Sequence, residues 1–331
     1  MGVEIYDVLV VGGGIAGFTA ALYAARQGLR TLVVTADIGG QLLLAPEIQN
    51  YPGFESIRGF ELAQRVEAQA RAFGAEVVFD EVQEIKREGQ IFTVRALNGE
   101  YKAHSIILAC GKAPKELGVP GERELKGKGV SYCVVCDAPL YRGKVVALIG
   151  WGYHGWESVN VLAEYAAKVY WVFSGEKPYE DEEAIKSVVA RGNVELVPRA
   201  KPIAIRGEKR VEELIVKDTV SGEERALRVD GVFVEIGYEP RTGFLRGFVE
   251  LNDKGEVVVD RECRTSQPGV FAAGDVTDLP FKQAVISAGM GAIAALSAYR
   301  YVMELKGRKA AVVSDWRHVR ARRGGLTLKL G

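Results

Sequence analysis

The sequence predicts an α/β protein built from two Rossmann-like three-layer domains. Two observations support this: a glycine-rich turn sits between an apolar strand and a helix near residue 12, and the same plan recurs near residue 150. At 331 residues, the chain is too long for one ordinary hydrophobic core and suits two domains.

The first turn lies within residues 6–35. The run from Val8 to Val11 is continuously apolar, as in a buried strand, and Gly28 suits the end of a helix before a second strand at 31–35. Within "GGGIAG", Gly12, Gly14 and Gly17 match the order of a dinucleotide fold: a tight turn, close backbone approach to a pyrophosphate, and close helix packing. Apolar residues at helical spacing follow the turn, namely Ile15, Phe18, Ala21, Leu22 and Ala25.

Residues 144–173 repeat this plan. A strand is predicted at 145–149, the turn reads "GWGYHG", and a second strand is predicted at 169–173. Trp156, Val159 and Ala163 share one face of the intervening helix. The chain therefore contains two nucleotide-type folds.

Further apolar strands end at small residues, where a doubly wound sheet meets its ligand. They lie in "GEYKAHSIILACG" and "RVDGVFVEIG". A final strand is predicted in "GVFAAGDVTD", and a long apolar helix follows it at 283–305.

Composition argues against several partners. Lys plus Arg and Asp plus Glu number 43 each, so no net field favours nucleic acid or an anionic membrane. No apolar run approaches the roughly 20 residues of a membrane helix, and no signal peptide is recognisable, so a cytoplasmic location is expected. Few Met and Cys beside many charged residues would suit a thermophile, and the basic segment "WRHVRARRGGLTLKLG" is interpreted as a solvated extension.

The stretch "YCVVCDAPLYRG" contains two of the four cysteines, two residues apart. A structural zinc site needs four ligands, and the other candidates offer no second paired spacing, so no metal is expected. A disulfide across so short a loop stabilises a fold weakly, which favours redox exchange. Ser131 would cap a short helix starting just before the thiols, and Pro139 would stop it. The remaining zinc candidates are Cys110, Cys263, His104, His154 and His318.

Five ordered stretches resemble the low-molecular-weight thioredoxin reductases over residues 5–305: "VVGGGIAGFTAALYAAR", "GGQLLLAPEIQNYPGF", "ILACG", "CVVCDAPLYRGKVVALIG" and "GVFAAGDVTDLPFKQAVISAGMGAIAA". The resemblance implies an FAD domain at 1–115 and 244–315, with a pyridine-nucleotide-type domain carrying the cysteine pair inserted at 116–243. Residues 316–331 form the basic tail. The hinges would be "KAPKELGVPG" and "GYEPRTGF", both rich in Pro and Gly.

The resemblance also implies roles for the redox residues. Cys136 would exchange electrons with the flavin, and Cys133 would attack the disulfide of the partner. Asp137 would donate and accept protons, because thiolate attack and departure both need a proton nearby. The alternative for Asp137 is an ordinary turn or capping aspartate.

For the flavin, the resemblance implies that the first turn holds the pyrophosphate at a helix N-terminus. Asp37 or Thr35 would lie near the ribose, although Asp37 is as well explained by a solvated loop. Cys110 stands where the family usually has Thr and is expected to be inert. The full predicted set is Gly12, Gly14, Ile15, Ala16, Gly17, Thr35, Asp37, Gly40, Gln41, Leu42, Asn50, Val82 (adenine), Ala109, Cys110, Gly111, Gly274, Asp275 (ribityl chain), Lys282, Gln283 and Ala284.

The second turn departs from the family. Gly150, Gly152 and Gly155 are present, but bulky residues surround them, and "VFSGEKPYEDEE" replaces the His-Arg-Arg cluster that binds the 2′-phosphate of NADPH. The acids after Pro178 are explained as a helix N-terminus. Poor or absent use of NADPH is predicted. NADH remains open, with Glu176 placed for the ribose, and so does a nucleotide domain retained only for packing. The bulky residues are Trp151, Tyr153, His154 and Trp156.

The resulting hypothesis is a homodimeric, FAD-dependent disulfide reductase acting on thioredoxin or a glutaredoxin-like protein, with electrons from NADH or from reduced ferredoxin. Two alternatives stay open: a dithiol oxidase that passes electrons from the cysteine pair through flavin to oxygen, and a non-catalytic flavin redox sensor. Flavoenzymes of this superfamily that reduce ferredoxin lack the cysteine pair, so "CVVC" counts against that activity.

Overall fold

The computed structural model describes residues 4–45 and 47–311, so the basic segment 316–331 lies outside the described residues. Along the chain the elements are β1 (Ile5–Val11), α1 (Ile15–Arg26), β2 (Thr31–Thr35), α2 (Gly59–Ala72), β3 (Glu76–Phe79), β4 (Val82–Glu88), β5 (Ile91–Ala96), β6 (Glu100–Leu108), β7 (Lys112–Pro114), β8 (Val130–Ser131), α3 (Val134–Asp137), β9 (Val145–Gly150), α4 (Gly152–Tyr165), β10 (Lys168–Val172), α5 (Glu182–Val189), β11 (Val194–Val197), β12 (Ala200–Arg206), β13 (Glu213–Asp218), β14 (Glu224–Arg228), β15 (Gly231–Glu235), β16 (Tyr238–Pro240), β17 (Val270–Ala272) and α6 (Ala284–Leu305).

The chain divides into two units. The first contains the residues up to 113 and those from 239 onward, and the second contains residues 114–238. The borders predicted from the sequence lie between 115 and 116 and between 243 and 244. The two crossing segments, β7 and β16, pair with each other as a two-stranded sheet.

The first unit is organised around a parallel sheet in the order β3-β2-β1-β6, with β17 also paired to β6. The N-terminal half of β6 pairs with β5 instead, and β4, β5 and β6 form an antiparallel meander. One buried cluster fills the space between the sheet and helices α1, α2 and α6, and another lies between the sheet and the meander. The unit therefore has three layers.

The second unit repeats this architecture. Its parallel sheet has the order β11-β10-β9-β15-β8, and β12, β13 and β14 form a separate antiparallel meander. The helix side of the sheet buries Trp171 and Val159, and the meander side forms its own cluster. Two Rossmann-like domains with mixed α/β character confirm the fold class predicted from the two glycine turns.

The two predicted βαβ units form as β1-α1-β2 and β9-α4-β10. In the first, Gly28 follows the C-cap residue Gln27 with φ +83°, and the N–H of Leu29 returns to the carbonyl of Ala24. This left-handed glycine ends α1 and turns the chain into β2.

Helix α6 packs against α1 through small residues. A Cβ atom at Gly291 would lie 2.3 Å from the carbonyl oxygen of Ala16, so the two helices meet at a distance that only glycine allows. Among the described residues, α6 is also the single helix long and apolar enough to cross a membrane, with a mean hydropathy of 1.3, so the expectation that no apolar run reaches this length is wrong. More than half of its apolar window is buried inside the fold, which accounts for its composition.

Substituting Gly291→Ala should destabilise the first unit by about 1–3 kcal/mol, because the new methyl group overpacks the contact with α1. Gly289→Ala is the matched control on the same helix. No atom lies within 4 Å of a Cβ at Gly289, so Ala there should be neutral or stabilising by up to about 1 kcal/mol. Urea unfolding followed by circular dichroism compares the two variants, and equal midpoints would contradict the close packing.

Candidate functional site

The first glycine turn is shaped by contacts within the protein itself. Gly12 has φ +108°, and its Cβ would lie 2.4 Å from the carbonyl oxygen of Ala109 at the end of β6. A Cβ at Gly17 would lie 2.0 Å from the carbonyl oxygen of Gly12. These two glycines are therefore required by packing between α1 and the ends of β1 and β6.

Gly14 has a different environment. It is the N-cap of α1, with φ −79°, and the nearest atom to its Cβ would be the carbonyl oxygen of Gly39 at 3.9 Å. No side chain caps this helix, whose first residues Ile15 and Ala16 are buried. The start of a 12-residue helix without a side-chain cap, beside open space at a glycine, fits the pyrophosphate of FAD.

Thr35 and Asp37 shape the loop that follows β2. The Thr35 hydroxyl donates to the carbonyl oxygen of Asp37 at 2.7 Å and accepts the Asp37 N–H at 3.3 Å. Asp37 Oδ1 accepts the N–H of Gly40 at 2.7 Å. Both side chains therefore hold the loop, which fits the structural alternative for Asp37, and the ribose role stays a prediction.

The 40–50 loop is joined to distant parts of the first unit. Asn50 Nδ2 donates to Gln283 Oε1 at 3.1 Å, and Gln283 is the N-cap of α6. Gln41 Nε2 donates to the carbonyl oxygen of Lys112 at 3.4 Å, while Leu42 is buried beneath the loop. The structure thus brings together predicted flavin residues that are 233 positions apart in the sequence.

The segment after β6 and the segment after β17 both reach the first turn. The N–H of Ala109 donates to the carbonyl oxygen of Val11 at 2.8 Å, and a Cβ at Gly274 would lie 2.8 Å from the Ala16 methyl group. Next to Gly274, Asp275 Oδ1 accepts the hydroxyl of Ser287 in α6 at 3.0 Å. The carboxyl ends of β1, β6 and β17 therefore meet at the N-termini of α1 and α6.

Val82 begins β4, and its buried side chain belongs to the cluster on the meander side of the sheet. Two residues earlier, the Asp80 N–H donates to the carbonyl oxygen of Thr35 at 2.9 Å. This bond brings the start of β4 close to the end of β2. The predicted adenine contact, Val82, therefore lies near the predicted ribose residue Thr35.

Cys110 and Gly111 continue the chain towards the crossing segment. The half-buried Cys110 thiol donates to the carbonyl oxygen of Arg241 at 3.4 Å. Loss of water around this thiol raises its pKa to about 12. Cys110 therefore stays protonated at neutral pH, as expected for an unreactive cysteine.

A buried charge cluster, which the sequence did not reveal, lies where the crossing strand leaves the first unit. Glu256 Oε1 contacts Lys112 Nζ at 3.0 Å and Lys282 Nζ at 3.2 Å, and Glu256 Oε2 accepts Asn252 Nδ2 at 3.0 Å. Burial by itself would raise the pKa of Glu256, but hydrogen bonds from Asn252, Lys112 and Lys282 outweigh it and lower the pKa to about 2. Lys282, a predicted flavin residue, is thereby fixed before α6.

In the second unit, Cys133 and Cys136 form a disulfide with a Cα–Cα distance of 5.3 Å. Helix α3 is only four residues long, and Cys133 is its N-cap, with Sγ accepting the Cys136 N–H at 3.1 Å. The prediction that Ser131 caps this helix is wrong, since the Ser131 hydroxyl accepts the N–H of Cys133 at 3.1 Å, one step earlier in the chain. The Ser131 hydroxyl lies two residues before the N-cap, so it binds the amide of the N-cap residue and not an amide inside the helix.

The disulfide lies at the surface of the second unit. Cys136 is exposed and Cys133 is half-buried, while Val135 and Leu140 are 42% and 68% exposed. Asp137 ends α3, and Pro139 lies in the 3-10 turn Ala138–Tyr141 that replaces a longer helix. The disulfide is therefore open to exchange with an external thiol.

The second glycine turn differs from the first despite its similar sequence. Gly152, not the first glycine, has the left-handed φ of +70°, and the N-cap of α4 is Trp151, one residue earlier in the motif than Gly14. The Gly152 N–H donates to the carbonyl oxygen of Pro178 at 2.7 Å. An amide that a pyrophosphate would need is therefore occupied by the protein's own loop.

Aromatic side chains cover this turn, as its sequence suggested. Trp156 stacks on Tyr179 with ring centroids 6.2 Å apart, and Tyr153 packs 5.6 Å from Trp156. Trp151 and Tyr153 are 54% and 53% exposed. The 173–181 loop is thus fastened to the start of α4 by stacking as well as by the Pro178 hydrogen bond.

The acidic loop after β10 has a basic partner that its sequence does not reveal. Arg199, from the turn between β11 and β12, lies 3.5 Å from Glu176 and 3.5 Å from Asp218. Glu176 is therefore paired, which weakens its predicted role at a ribose. The acids further along begin α5, where Asp181 is the N-cap and accepts the N–H of Ala184 at 3.0 Å. Among the described residues there is no cluster of three metal-ligating side chains.

The pyridine nucleotide-disulphide oxidoreductase family matches residues 6–295 of the chain. The thioredoxin reductase of Treponema pallidum is 39% identical over 303 residues, covering 91% of this chain and 98% of that protein. An alkyl hydroperoxide reductase protein of Pseudomonas aeruginosa is 40% identical over 306 residues, covering 91% of this chain but only 59% of that protein.

Solved structures give the same result. The thioredoxin reductase of Lactococcus lactis has a TM-score of 0.76 at 32% identity, covering 90% of this chain and 99% of that chain. A ferredoxin-flavin thioredoxin reductase from Clostridium acetobutylicum has a TM-score of 0.53 at 32% identity, covering 92% of this chain and 100% of that chain.

Substituting Gly14→Ala should leave the stability of the flavin-free protein unchanged while weakening FAD binding by about tenfold or more, because the methyl group projects into the space of the pyrophosphate. Gly17→Ala is the matched comparison, since its methyl group collides with the Gly12 carbonyl and should destabilise the fold itself. Flavin absorbance and thermal unfolding of the apoprotein measure both effects. Full FAD content in Gly14→Ala would contradict this binding site.

Proposed function

Because the chain belongs to the pyridine nucleotide-disulphide oxidoreductase family and is an FAD-dependent disulfide oxidoreductase, we propose that it reduces the disulfide of thioredoxin or of a glutaredoxin-like protein. The observation that carries this proposal is the exposed Cys133–Cys136 disulfide, held at the N-terminus of a four-residue helix in the second unit. Bound FAD would supply the two electrons that open it.

The residues around the disulfide support separate roles for the two sulfurs. Once the S–S bond is open, the Cys136 N–H directed at Cys133 Sγ stabilises a thiolate at Cys133. A stabilised thiolate suits the attack on the disulfide of the partner. Cys136 then closes the disulfide again and releases the reduced partner.

Asp137 is the proposed acid and base of the pair. It is half-buried at the end of α3, next to Cys136 in the chain. The half-buried Tyr141 lies close enough for the negative charge of Asp137 to raise the Tyr141 pKa, in addition to the larger rise that burial causes. A carboxylate in this position can hold the proton that a leaving thiolate requires.

The source of the electrons is proposed to be NADH or a protein donor such as reduced ferredoxin, and not NADPH. The hydrogen bond from Gly152 to Pro178 and the stacking of Trp156 on Tyr179 obstruct the second turn. Arg199 is paired with Glu176 and Asp218, and the 173–181 loop contains no arginine that could bind a 2′-phosphate. The ferredoxin-flavin enzyme of Clostridium acetobutylicum gives this donor a precedent among structural neighbours.

Substituting Cys133→Ser should abolish reduction of a thioredoxin disulfide while the protein stays yellow with FAD, because the nucleophile lies in a different unit from the flavin residues. Cys263→Ala, at a free buried cysteine in the first unit, is the control and should retain turnover. Protein whose flavin has been photoreduced is mixed anaerobically with the thioredoxin disulfide, the new thioredoxin thiols are counted by alkylation, and flavin absorbance reports the FAD content. A Cys133→Ser variant with wild-type turnover would refute the proposed chemistry.

Anaerobic stopped-flow measurement of flavin bleaching identifies the donor. NADPH should bleach the flavin no faster than NADH at equal concentration, because the charge-assisted contacts to the 2′-phosphate that would favour NADPH by about 1.5–3 kcal/mol each are missing. NADH differs from NADPH only in that phosphate and is the matched control for it. Reduced ferredoxin tests the alternative that bypasses the second turn, and rapid bleaching by NADPH would overturn the proposal.

A further inference from the structure

Glu235 lies where the parallel sheet of the second unit brings the redox pair and the second glycine turn together. It is the last residue of β15, a strand that pairs with β9 on one side and with β8 on the other. In this register Glu235 lies opposite Gly150, and β8 ends two residues before Cys133. The carboxyl ends of three neighbouring strands therefore place one carboxylate beside the cysteine pair.

The Glu235 side chain lies near the start of the redox helix. In the parallel register Phe233 pairs with Ser131, so Glu235 and Cys133 each lie two residues beyond this pair. The N–H of Val134, the first residue of α3, is close enough to the Glu235 carboxylate to lower its pKa. In the same turn the Cys136 N–H donates to Cys133 Sγ. A charge on Glu235 and a charge on Cys133 therefore act on one short turn, so each affects the other.

Titratable groups from α4 and from the chain beyond β15 lie near Glu235. Glu157 of α4 adds a negative charge, and His154 Nδ1 lies 3.9 Å from the Glu157 carboxylate at the exposed edge of α4. Tyr238 lies on the chain beyond β15, and burial first, then the charge of Glu235, raises its pKa. From β9 comes the uncharged Gly150, where a Cβ atom would lie 3.2 Å from the Glu235 Cβ. Among these neighbours, no lysine or arginine neutralises Glu235.

Burial raises the pKa of Glu235 to about 7, although the hydrogen bond from Val134 opposes the rise, and the negative charge of Glu157 adds to it. A carboxyl group with such a pKa changes its protonation state near neutral pH. Asp137, the acid implied by the family resemblance, is a separate group on α3.

We propose that Glu235 is a positioning residue for the redox pair that takes up a proton when the Cys133–Cys136 disulfide is reduced and returns it when the disulfide reforms. This inference rests on the proposed disulfide chemistry, but it is independent of the electron donor and of the partner protein.

Reduction of the pair balances in electrons and in protons. Two electrons from reduced flavin, or from an added dithiol, break the S–S bond and leave two negative charges on sulfur. One proton converts Cys136 to a thiol and a second proton protonates the Glu235 carboxylate, so that Cys133 carries the remaining charge as a thiolate. On reoxidation by the partner's disulfide, Glu235 releases its proton to a thiolate of the partner.

The direction of the coupling follows from like-charge repulsion. An ionised Glu235 beside Cys133 disfavours the thiolate, so reduction raises the pKa of Glu235 above its value in the disulfide form. At a pH between the pKa of Glu235 in the disulfide form and its higher pKa in the reduced form, reduction takes up one proton more than the thiols alone require. One extra proton changes the equilibrium constant tenfold per pH unit, equivalent to about 30 mV per pH unit for a two-electron couple.

The test uses the full-length FAD-loaded protein and Glu235→Gln, which keeps an oxygen to accept the Val134 N–H but cannot titrate. The cysteine pair is equilibrated with mixtures of reduced and oxidised dithiothreitol across roughly pH 6–9, and its thiols are trapped by alkylation and counted by mass spectrometry. Above pH 7, the redox equilibrium of the wild-type protein should have the pH dependence of one additional proton. The equilibrium of Glu235→Gln should lack this additional dependence. Alkylation of Cys133 by iodoacetamide should also become roughly tenfold faster below the thiol pKa in this variant.

Glu157→Gln is the second variant. It leaves Glu235 in place and removes the neighbouring negative charge, so the extra-proton region should persist but move to lower pH. A purely structural Glu235 would leave the pH profile of every variant unchanged, and that result would overturn the proposal. Since only the internal disulfide and a small dithiol are involved, a protein that fails to reduce thioredoxin can still give either result.

Discussion

The first unit depends on the close approach of α1 to the carboxyl ends of β1 and β6 and to α6. Gly12, Gly17 and Gly291 each stand where a Cβ atom would lie within 2.4 Å of a backbone oxygen. This contact brings the N-termini of α1 and α6 together with the segments after β6 and β17. The predicted flavin residues Gly14 and Gln283 are the N-caps of these two helices, where helix packing sets the direction of the backbone amides.

The second unit shows that the same glycine spacing does not ensure the same turn. In the first turn the left-handed residue is the first glycine, whereas in the second it is Gly152, and α4 begins after Trp151. The carbonyl of Pro178 then satisfies an amide that would otherwise be free, and Tyr179 stacks on Trp156 from the same loop. A motif that binds an anion elsewhere is here closed by local contacts of the chain, while the sheet beneath it remains a complete Rossmann-like layer.

The site residues found from sequence are those with a local signature. Glycines at fixed spacing, a cysteine pair and a strand ending in Gly-Asp are recognisable within a few residues of one another. Glu256, Arg199 and Glu235 have no such signature. Glu256 meets Lys112 from 144 positions away, and Arg199 and Glu235 acquire their partners only through the pairing of strands. Ser131 illustrates the opposite error, since a local capping rule favoured it while the chain path made Cys133 the cap.

The amino-acid sequence alone predicts the α/β class, the two βαβ units, the redox-type spacing of Cys133 and Cys136, and the lack of an arginine cluster after β10. These features depend on periodicity, glycine sterics and residue type, which act over short distances along the chain. Tertiary contacts establish that the Gly152 amide is occupied, which charges are paired, and that Glu235 lies near the amide of Val134. Those outcomes depend on burial and on contacts between residues remote in sequence, which the order of amino acids does not display.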